Sequence, residues 1–238
     1  MKRLLTKALA ILAFLFVCFK VSSASGRLSV QLKKYQNPDS MTSSESCCDI
    51  GGPWWCGTCD PYFQFKFEKK GINYTLGDGI TSKTFSASDK LRFSFERWSP
   101  SKTLTVVVWD DDYGSVDAKM YEGTKTLPDQ ANISYSASTI YPIEFKDKYT
   151  TLSVSIRVYC DSGYLAPNCI EYCNATNVSN YHCDYDRGLK ICHTYWYGTD
   201  CQQFCRERVG GNYICNNKTG MKICHENWYG TECAVYCR

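Results

Sequence analysis

Cysteine spacing constrains this 238-residue chain more than any other feature. Of its sixteen cysteines, eleven lie after position 159, and these recur at a fixed interval. Cys169, Cys201 and Cys233 are 32 residues apart; so are Cys173, Cys205 and Cys237, and the pairs Cys183/Cys215 and Cys192/Cys224. The residues between them keep the same period. Cys192-His-Thr-Tyr-Trp-Tyr-Gly-Thr-Asp-Cys201 aligns with Cys224-His-Glu-Asn-Trp-Tyr-Gly-Thr-Glu-Cys233. Regularity in both spacing and side chains marks a series of small equivalent units. Residues 160–238 carry few aliphatic side chains and many Tyr, Asn and Gly. Apolar burial cannot order such a segment, so crosslinks must.

Whether these cysteines are crosslinks or metal ligands turns on the compartment. The chain begins with a positive stretch, Met1-Lys2-Arg3 to Lys7, followed by an uninterrupted apolar run from Ala8 to Phe19. Ser22 and Ala24 then supply the small residues of a cleavage site. This is the anatomy of a secretory signal peptide over residues 1–24, the alternative being a signal anchor left in place. Cys18 falls inside it. No later run approaches the roughly 18 apolar residues of a membrane span, so an extracellular protein, or the ectodomain of a single-pass membrane protein, is expected. Five sequons agree with export, at Asn73, Asn132, Asn174, Asn177 and Asn217. In an oxidising compartment cysteines pair. Zinc at Cys56-Gly-Thr-Cys59, or beside His182, His193 and His225, is therefore the weaker reading. Spacing leaves the pairing of Cys47, Cys48, Cys56 and Cys59 open.

The formal charge of +3 includes Lys2, Arg3, Lys7 and Lys20 of the leader; without them 23 basic residues face 24 acidic ones. A general nucleic-acid footprint is excluded.

Residues 25–159 belong to a different zone. Leu28/Val30/Leu32, Phe63/Phe65/Phe67, Leu91/Phe93/Phe95, Leu104/Val106/Val108 and Leu152/Val154/Ile156/Val158 each alternate with polar neighbours. Period-two faces of aromatic and β-branched residues predict half-buried strands. Turn signals separate them at Gly77-Asp-Gly79, Trp98-Ser-Pro100 and Tyr113-Gly114. The expected fold is all-β: an N-terminal antiparallel β-sandwich followed by small disulfide-stapled repeats.

The run Cys192-x3-Trp-Tyr-Gly-x2-Cys201-x3-Cys205-Arg-x-Arg-x4-Tyr-x-Cys215-x8-Cys224-x3-Trp-Tyr-Gly-x2-Cys233 resembles the DSL domain of the Delta/Serrate/LAG-2 ligands of the Notch receptor. An overlapping copy from Cys160 to Cys201 has the same six-cysteine spacing. It departs from the family pattern at Gly163-Tyr-Leu-Ala-Pro and at Asn174-Ala-Thr-Asn177. The upstream zone resembles the family's N-terminal (MNNL) module through Cys47-Cys48, the Phe-rich strand, Val108-Trp109-Asp110 and a last strand running into Cys160. The resemblance implies a sandwich over 25–159, DSL-like repeats over 160–201 and 192–233, and the start of a further EGF-like module or a terminus at 234–238. It also implies sequential disulfides: Cys160–Cys169, Cys173–Cys183, Cys192–Cys201, Cys205–Cys215 and Cys224–Cys233, with Cys237 left over. The implied role is an extracellular ligand for the EGF-like repeats of a Notch-type receptor.

No nucleophile elbow or base pair accompanies the three histidines, so catalysis is not expected. Three surfaces are candidates for binding. Arg206, Arg208, Val209 and Tyr213 lie in the Cys205–Cys215 loop, where the resemblance implies receptor contact. Here Val209-Gly210-Gly211 replaces the family's aromatic anchor. Tyr195, Trp196 and Tyr197, with Trp228 and Tyr229, are either packed on disulfides or presented as a contact patch. Asp110, Asp111, Asp112 and Asp117 form an acidic turn that can hold calcium, the one cofactor considered, or remain solvated. Through it the rival reading is a calcium-dependent phospholipid-binding or adhesion glycoprotein whose cysteine-rich tail is a spacer.

Overall fold

The computed structural model describes residues 24–52, 55–112, 116–185 and 187–238; residues 1–23, all but the last residue of the expected leader, and the expected turn at Tyr113-Gly114 lie outside them. The first zone contains β1 (Gly26–Gln36), β2 (Ile50–Gly52), β3 (Trp55–Cys56), β4 (Pro61–Phe67), β5 (Lys70–Thr75), β6 (Ser82–Thr84), β7 (Lys90–Phe95), β8 (Thr103–Asp110), β9 (Ala118–Thr126), β10 (Tyr141–Lys146) and β11 (Thr151–Cys160). A four-stranded sheet runs β5-β4-β8-β9. In the other sheet β10 pairs with β11 and β11 with β1, while β6 and β7 share the far edge of β1. The pairings are antiparallel throughout.

The alternating residues of the sequence close this sandwich. Phe63, Phe65, Phe67, Leu104, Val106 and Val108 of one sheet meet Leu28, Val30, Phe93, Phe95, Ile156 and Val158 of the other, each removed almost wholly from water. Burying one such side chain contributes roughly 1.5–3 kcal/mol. Aromatic rings knit the centre. Phe63 lies 5.3 Å from Tyr35 and 6.2 Å from Phe65 and Phe85 between centroids, and Trp98 sits 4.9 Å from Phe95 and 6.0 Å from Phe67. At one end the adjacent cysteines are crosslinked separately, as Cys47–Cys56 and Cys48–Cys59. Together they pin the β2–β3 hairpin and its flanks.

β11 ends on Cys160, whose disulfide to Cys169 lies in the sandwich core. The first stapled loop is bonded to the sandwich around it. The Trp98 amide donates to the Asn168 carbonyl (2.8 Å), the Ala131 amide donates to the Pro167 carbonyl (2.9 Å), and Arg27 pairs with Asp161 (2.8 Å). Leu165 is fully buried at this seam.

Beyond it come four short hairpins: β12 (Tyr181–Asp184) with β13 (Leu189–Cys192), β14 (Trp196–Tyr197) with β15 (Gln203–Phe204), β16 (Tyr213–Cys215) with β17 (Lys222–Cys224), and β18 (Trp228–Tyr229) with β19 (Val235–Tyr236). The structure pairs Cys160–Cys169, Cys173–Cys183, Cys192–Cys201, Cys205–Cys215 and Cys224–Cys233 and leaves Cys237 free. The 32-residue period reaches individual contacts. Facing rings close each loop: Tyr164–Tyr172 at 5.2 Å, Trp196–Phe204 at 5.1 Å and Trp228–Tyr236 at 5.2 Å. Lys190 pairs with Asp200 and lies over Tyr181; Lys222 pairs with Glu232 and lies over Tyr213. The amides of Cys173, Cys205 and Cys237 donate to the carbonyls of Gly163, Tyr195 and Asn227, each of which has a positive φ.

Candidate functional site

The Cys205–Cys215 loop is short, closed by its disulfide and braced from within. The Tyr213 hydroxyl donates to the Arg206 carbonyl (2.9 Å), and a Glu207 carboxylate oxygen accepts from the Cys215 amide (2.8 Å). The chain then turns at Arg208–Gly211, where the Gly211 amide donates to the Arg208 carbonyl and Gly210 takes φ +73°. That turn lifts Val209 fully into solvent. Arg206 and Arg208 are exposed, and neither has a carboxylate partner within 4 Å among the described residues. The loop lines an open depression of about 640 Å³ together with Phe204, Tyr213 and Lys222.

The neighbouring aromatics divide by role. The Arg206 guanidinium stands 5.1 Å from the Tyr195 ring centroid, and Tyr195 and Trp196 both meet Phe204 edge-on. Tyr195 is 41% and Phe204 49% exposed. The surface therefore joins fixed cations to half-open rings on a rigid base, the composition of a protein-recognition hot spot. Tyr197 does something else. It is half-buried against Gly220 of the next hairpin, whose Cβ, if present, would stand 2.8 Å from that of Tyr197. Tyr197 belongs to the joint between units rather than to the open patch. Phe204 and Lys222, absent from the sequence reading, complete the patch. The aromatic recurrence at 172, 204 and 236 was the available signal for Phe204.

The acidic turn is rearranged by the fold. Asp110 ends β8 and is 1% exposed. One oxygen accepts from the Asp60 amide (2.6 Å), and the other has no hydrogen-bond partner. Carboxylate oxygens of Asp49, Asp110 and Asp112 lie within 4.8 Å of one another. Burial, and then the charges of Asp112, Asp49 and Asp60, push the Asp110 carboxyl up to about 6 against its hydrogen bond from the Asp60 amide. Asp49, far away in sequence, enters the cluster because its loop is held by the Cys48–Cys59 crosslink. Asp117 instead accepts from the Tyr62 hydroxyl (2.7 Å), and Asp111 is exposed, its amide donating to the Asp60 carbonyl. Of the four candidate ligands, the structure thus brings Asp110 and Asp112 together and directs the other two elsewhere.

The sequon asparagines Asn73, Asn174, Asn177 and Asn217 are exposed, whereas Asn132 is half-buried and its Nδ2 donates to the Val158 carbonyl (3.4 Å). No helix among the described residues is long and apolar enough to cross a membrane.

Comparison with known proteins fits this plan. The Delta serrate ligand (DSL) family model matches residues 192–236. Protein jagged-2 of Mus musculus is 25% identical over an alignment taking in 79% of this chain, which spans 18% of that relative's length. The solved structure of Drosophila C2-DSL-EGF1 superposes with a TM-score of 0.54 at 20% identity, covering 88% of this chain and 100% of that one. Residues 192–236 are thus similar to a Delta serrate ligand domain, and the sandwich with the stapled repeats that follow it shares the fold of Drosophila C2-DSL-EGF1.

Proposed function

We propose that this chain is the receptor-gripping part of an extracellular Notch ligand, binding EGF-like repeats of a receptor on another cell through the Cys205–Cys215 loop and the rings beneath it. The observation that carries this reading is the loop itself. A disulfide-closed turn holds a fully exposed Val209 next to Arg206 and Arg208, which have no carboxylate partner among the described residues, and the Arg206 guanidinium stands over the half-open ring of Tyr195 beside Phe204. Ordering costs are met before binding, so contacts there convert efficiently into affinity. Arg206 and Arg208 would seek carboxylates or carbonyls on the partner, Val209 and Phe204 an apolar recess, and Trp196 and Tyr213 would hold the base. In this reading residues 25–159 form one module, residues 160–201 and 192–233 the overlapping repeats, and 234–238 the start of the next. Surface plasmon resonance on immobilised receptor EGF-like repeats tests it. Arg208→Ala should weaken binding by more than about 1 kcal/mol with secretion unchanged; equal affinities would remove the loop from the interface.

A second reading rests on the acidic cluster. The orphaned oxygen of buried Asp110 beside Asp49 and Asp112 suits a hard cation held by oxygen ligands. Those three carboxylates would hold calcium, with carbonyls and water completing its shell, and the ion would neutralise the negative charge that otherwise opposes contact of this end of the sandwich with anionic lipid. If so, calcium should raise the thermal midpoint of the wild type and not of Asp110→Asn, with calcium-dependent binding to anionic vesicles. A calcium-independent midpoint would leave only the receptor reading.

A further inference from the structure

The outer face of the five-stranded sheet carries charge that neither reading uses. Opposed residues of antiparallel strands point to the same side, so the register of β1 with β11 and β7 sorts its side chains into rungs. Arg157–Ser29–Arg92 form one, Ser155–Gln31–Lys90 the next, and Tyr159–Arg27–Ser94 the one before. None of these rungs holds a carboxylate. The alternate residues fill the core, so the rungs face outward. Arg27 is paired with Asp161. Lys33, Lys90, Arg92 and Arg157 have no carboxylate within 4 Å among the described residues.

Three of these cations converge on one pocket of about 200 Å³, lined by Lys33, Lys90 and Arg157 with Ser29, Ser155 and Tyr135, and by no acid. Tyr135 organises it. Its ring centroid lies 4.9 Å from the Arg157 guanidinium and 5.8 Å from the Lys90 ammonium, and Lys90 Nζ donates to its hydroxyl (3.4 Å). Arg157 Nη1 donates to the carbonyls of Tyr135 (3.2 Å) and Ser138 (2.6 Å), which leaves its other N–H groups for a ligand. Gln31 Nε2 donates to the carbonyls of Ser86 and Asp89, fixing the loop that leads into Lys90.

We infer that this pocket takes a sulfate group of a sulfated polysaccharide laid across the sheet, with Arg92 meeting a neighbouring group. Three features support that occupant. The pocket is smaller than the roughly 300–1,000 Å³ of sites that enclose a whole small ligand, so it suits one anionic group of a longer chain. Arg157 and Arg92 flank Ser29 on strands about 10 Å apart, offering a second cation along the same line. The face bears Ser and Gln between its cations, and Ile140 is the one large aliphatic side chain in the pocket's lining, less apolar surface than seats a protein in lipid. The chain without its leader is close to neutral, so the basic face is a local feature rather than a consequence of bulk charge.

Surface plasmon resonance on an immobilised heparin-derived oligosaccharide at physiological ionic strength tests this. The triple variant Lys33→Gln/Lys90→Gln/Arg157→Gln should bind at least about tenfold more weakly, since hydrogen bonds to charged groups are the strong ones. Because Arg157 also anchors the Tyr135–Ser138 loop, Lys33→Gln/Lys90→Gln provides a variant that leaves that anchor intact, and it too should lose affinity. Lys66→Gln/Lys125→Gln, on the other sheet, should bind as the wild type does. Equal affinity of the pocket variants and the wild type, absence of wild-type binding, or retention by phosphatidylserine vesicles in place of the oligosaccharide would overturn the proposal.

Discussion

Asp110 holds its buried carboxyl between opposing influences. The Asp60 amide favours the charged form, whereas burial and three neighbouring carboxylates oppose it and win, raising the group to about 6. A carboxyl raised in the folded state binds its proton more tightly there than in the unfolded chain. Its contribution is therefore complete below the ordinary carboxylate value and is lost as pH rises through about 6. With metal removed by chelator, Asp110→Asn should gain stability relative to the wild type between pH 4 and 7, by on the order of 2–3 kcal/mol. Urea midpoints across that range measure it; a difference independent of pH would contradict the assignment. An Asp-rich turn was legible in the sequence, but its composition as a cluster was not. Asp49 comes from a loop some sixty residues earlier, brought in by the Cys48–Cys59 crosslink, and no local pattern announces that. Asp117 looked equivalent to its neighbours until the fold placed Tyr62 against it.

At the scale of elements, the stapled zone is a series of hairpins whose joints are glycines. Gly188 and Gly220, 32 residues apart, both take positive φ at hairpin turns and press their backbone on the preceding loop, Gly188 on Ala166 and Gly220 on Tyr197. Gly198 also has a positive φ, yet nothing lies within 4 Å of where its Cβ would be. The two positions separate conformational cost from packing. Gly198→Ala should lose only the roughly 1–2 kcal/mol of a left-handed alanine, while Gly220→Ala should lose more because its methyl meets Tyr197 and Gln203. Hydrogen exchange of the β16–β17 amides reads the difference, and equal losses would show that the joint is loose. Strand faces and the cysteine period were legible because each is a local regularity. The Trp196–Phe204 clasp was hidden because half of each ring pair sits across a disulfide, eight residues on, in a two-residue strand that periodicity cannot detect. Adjacency groups Tyr197 with Trp196, whereas a strand sends neighbouring side chains to opposite sides, Trp196 onto Phe204 and Tyr197 onto Gly220.

Over the whole molecule, two kinds of stabilisation meet at one seam. The sandwich is ordered by burial of aromatic and β-branched residues, and the repeats by crosslinks that restrict the unfolded chain, each worth roughly 2–4 kcal/mol. β11 carries the first into the second, and Trp98, Ala131 and Arg27 bind the first loop to the sandwich. The Cys205–Cys215 loop is therefore presented on a frame braced from the seam outward, which a partner can grip without first ordering it. Hydrogen–deuterium exchange of the intact, oxidised protein with and without the receptor's EGF-like repeats tests that claim most directly. Protection concentrated in residues 192–222, with the amides of Phe204 to Tyr213 slowed most, is the predicted result. Unchanged exchange across that segment in a formed complex would contradict it.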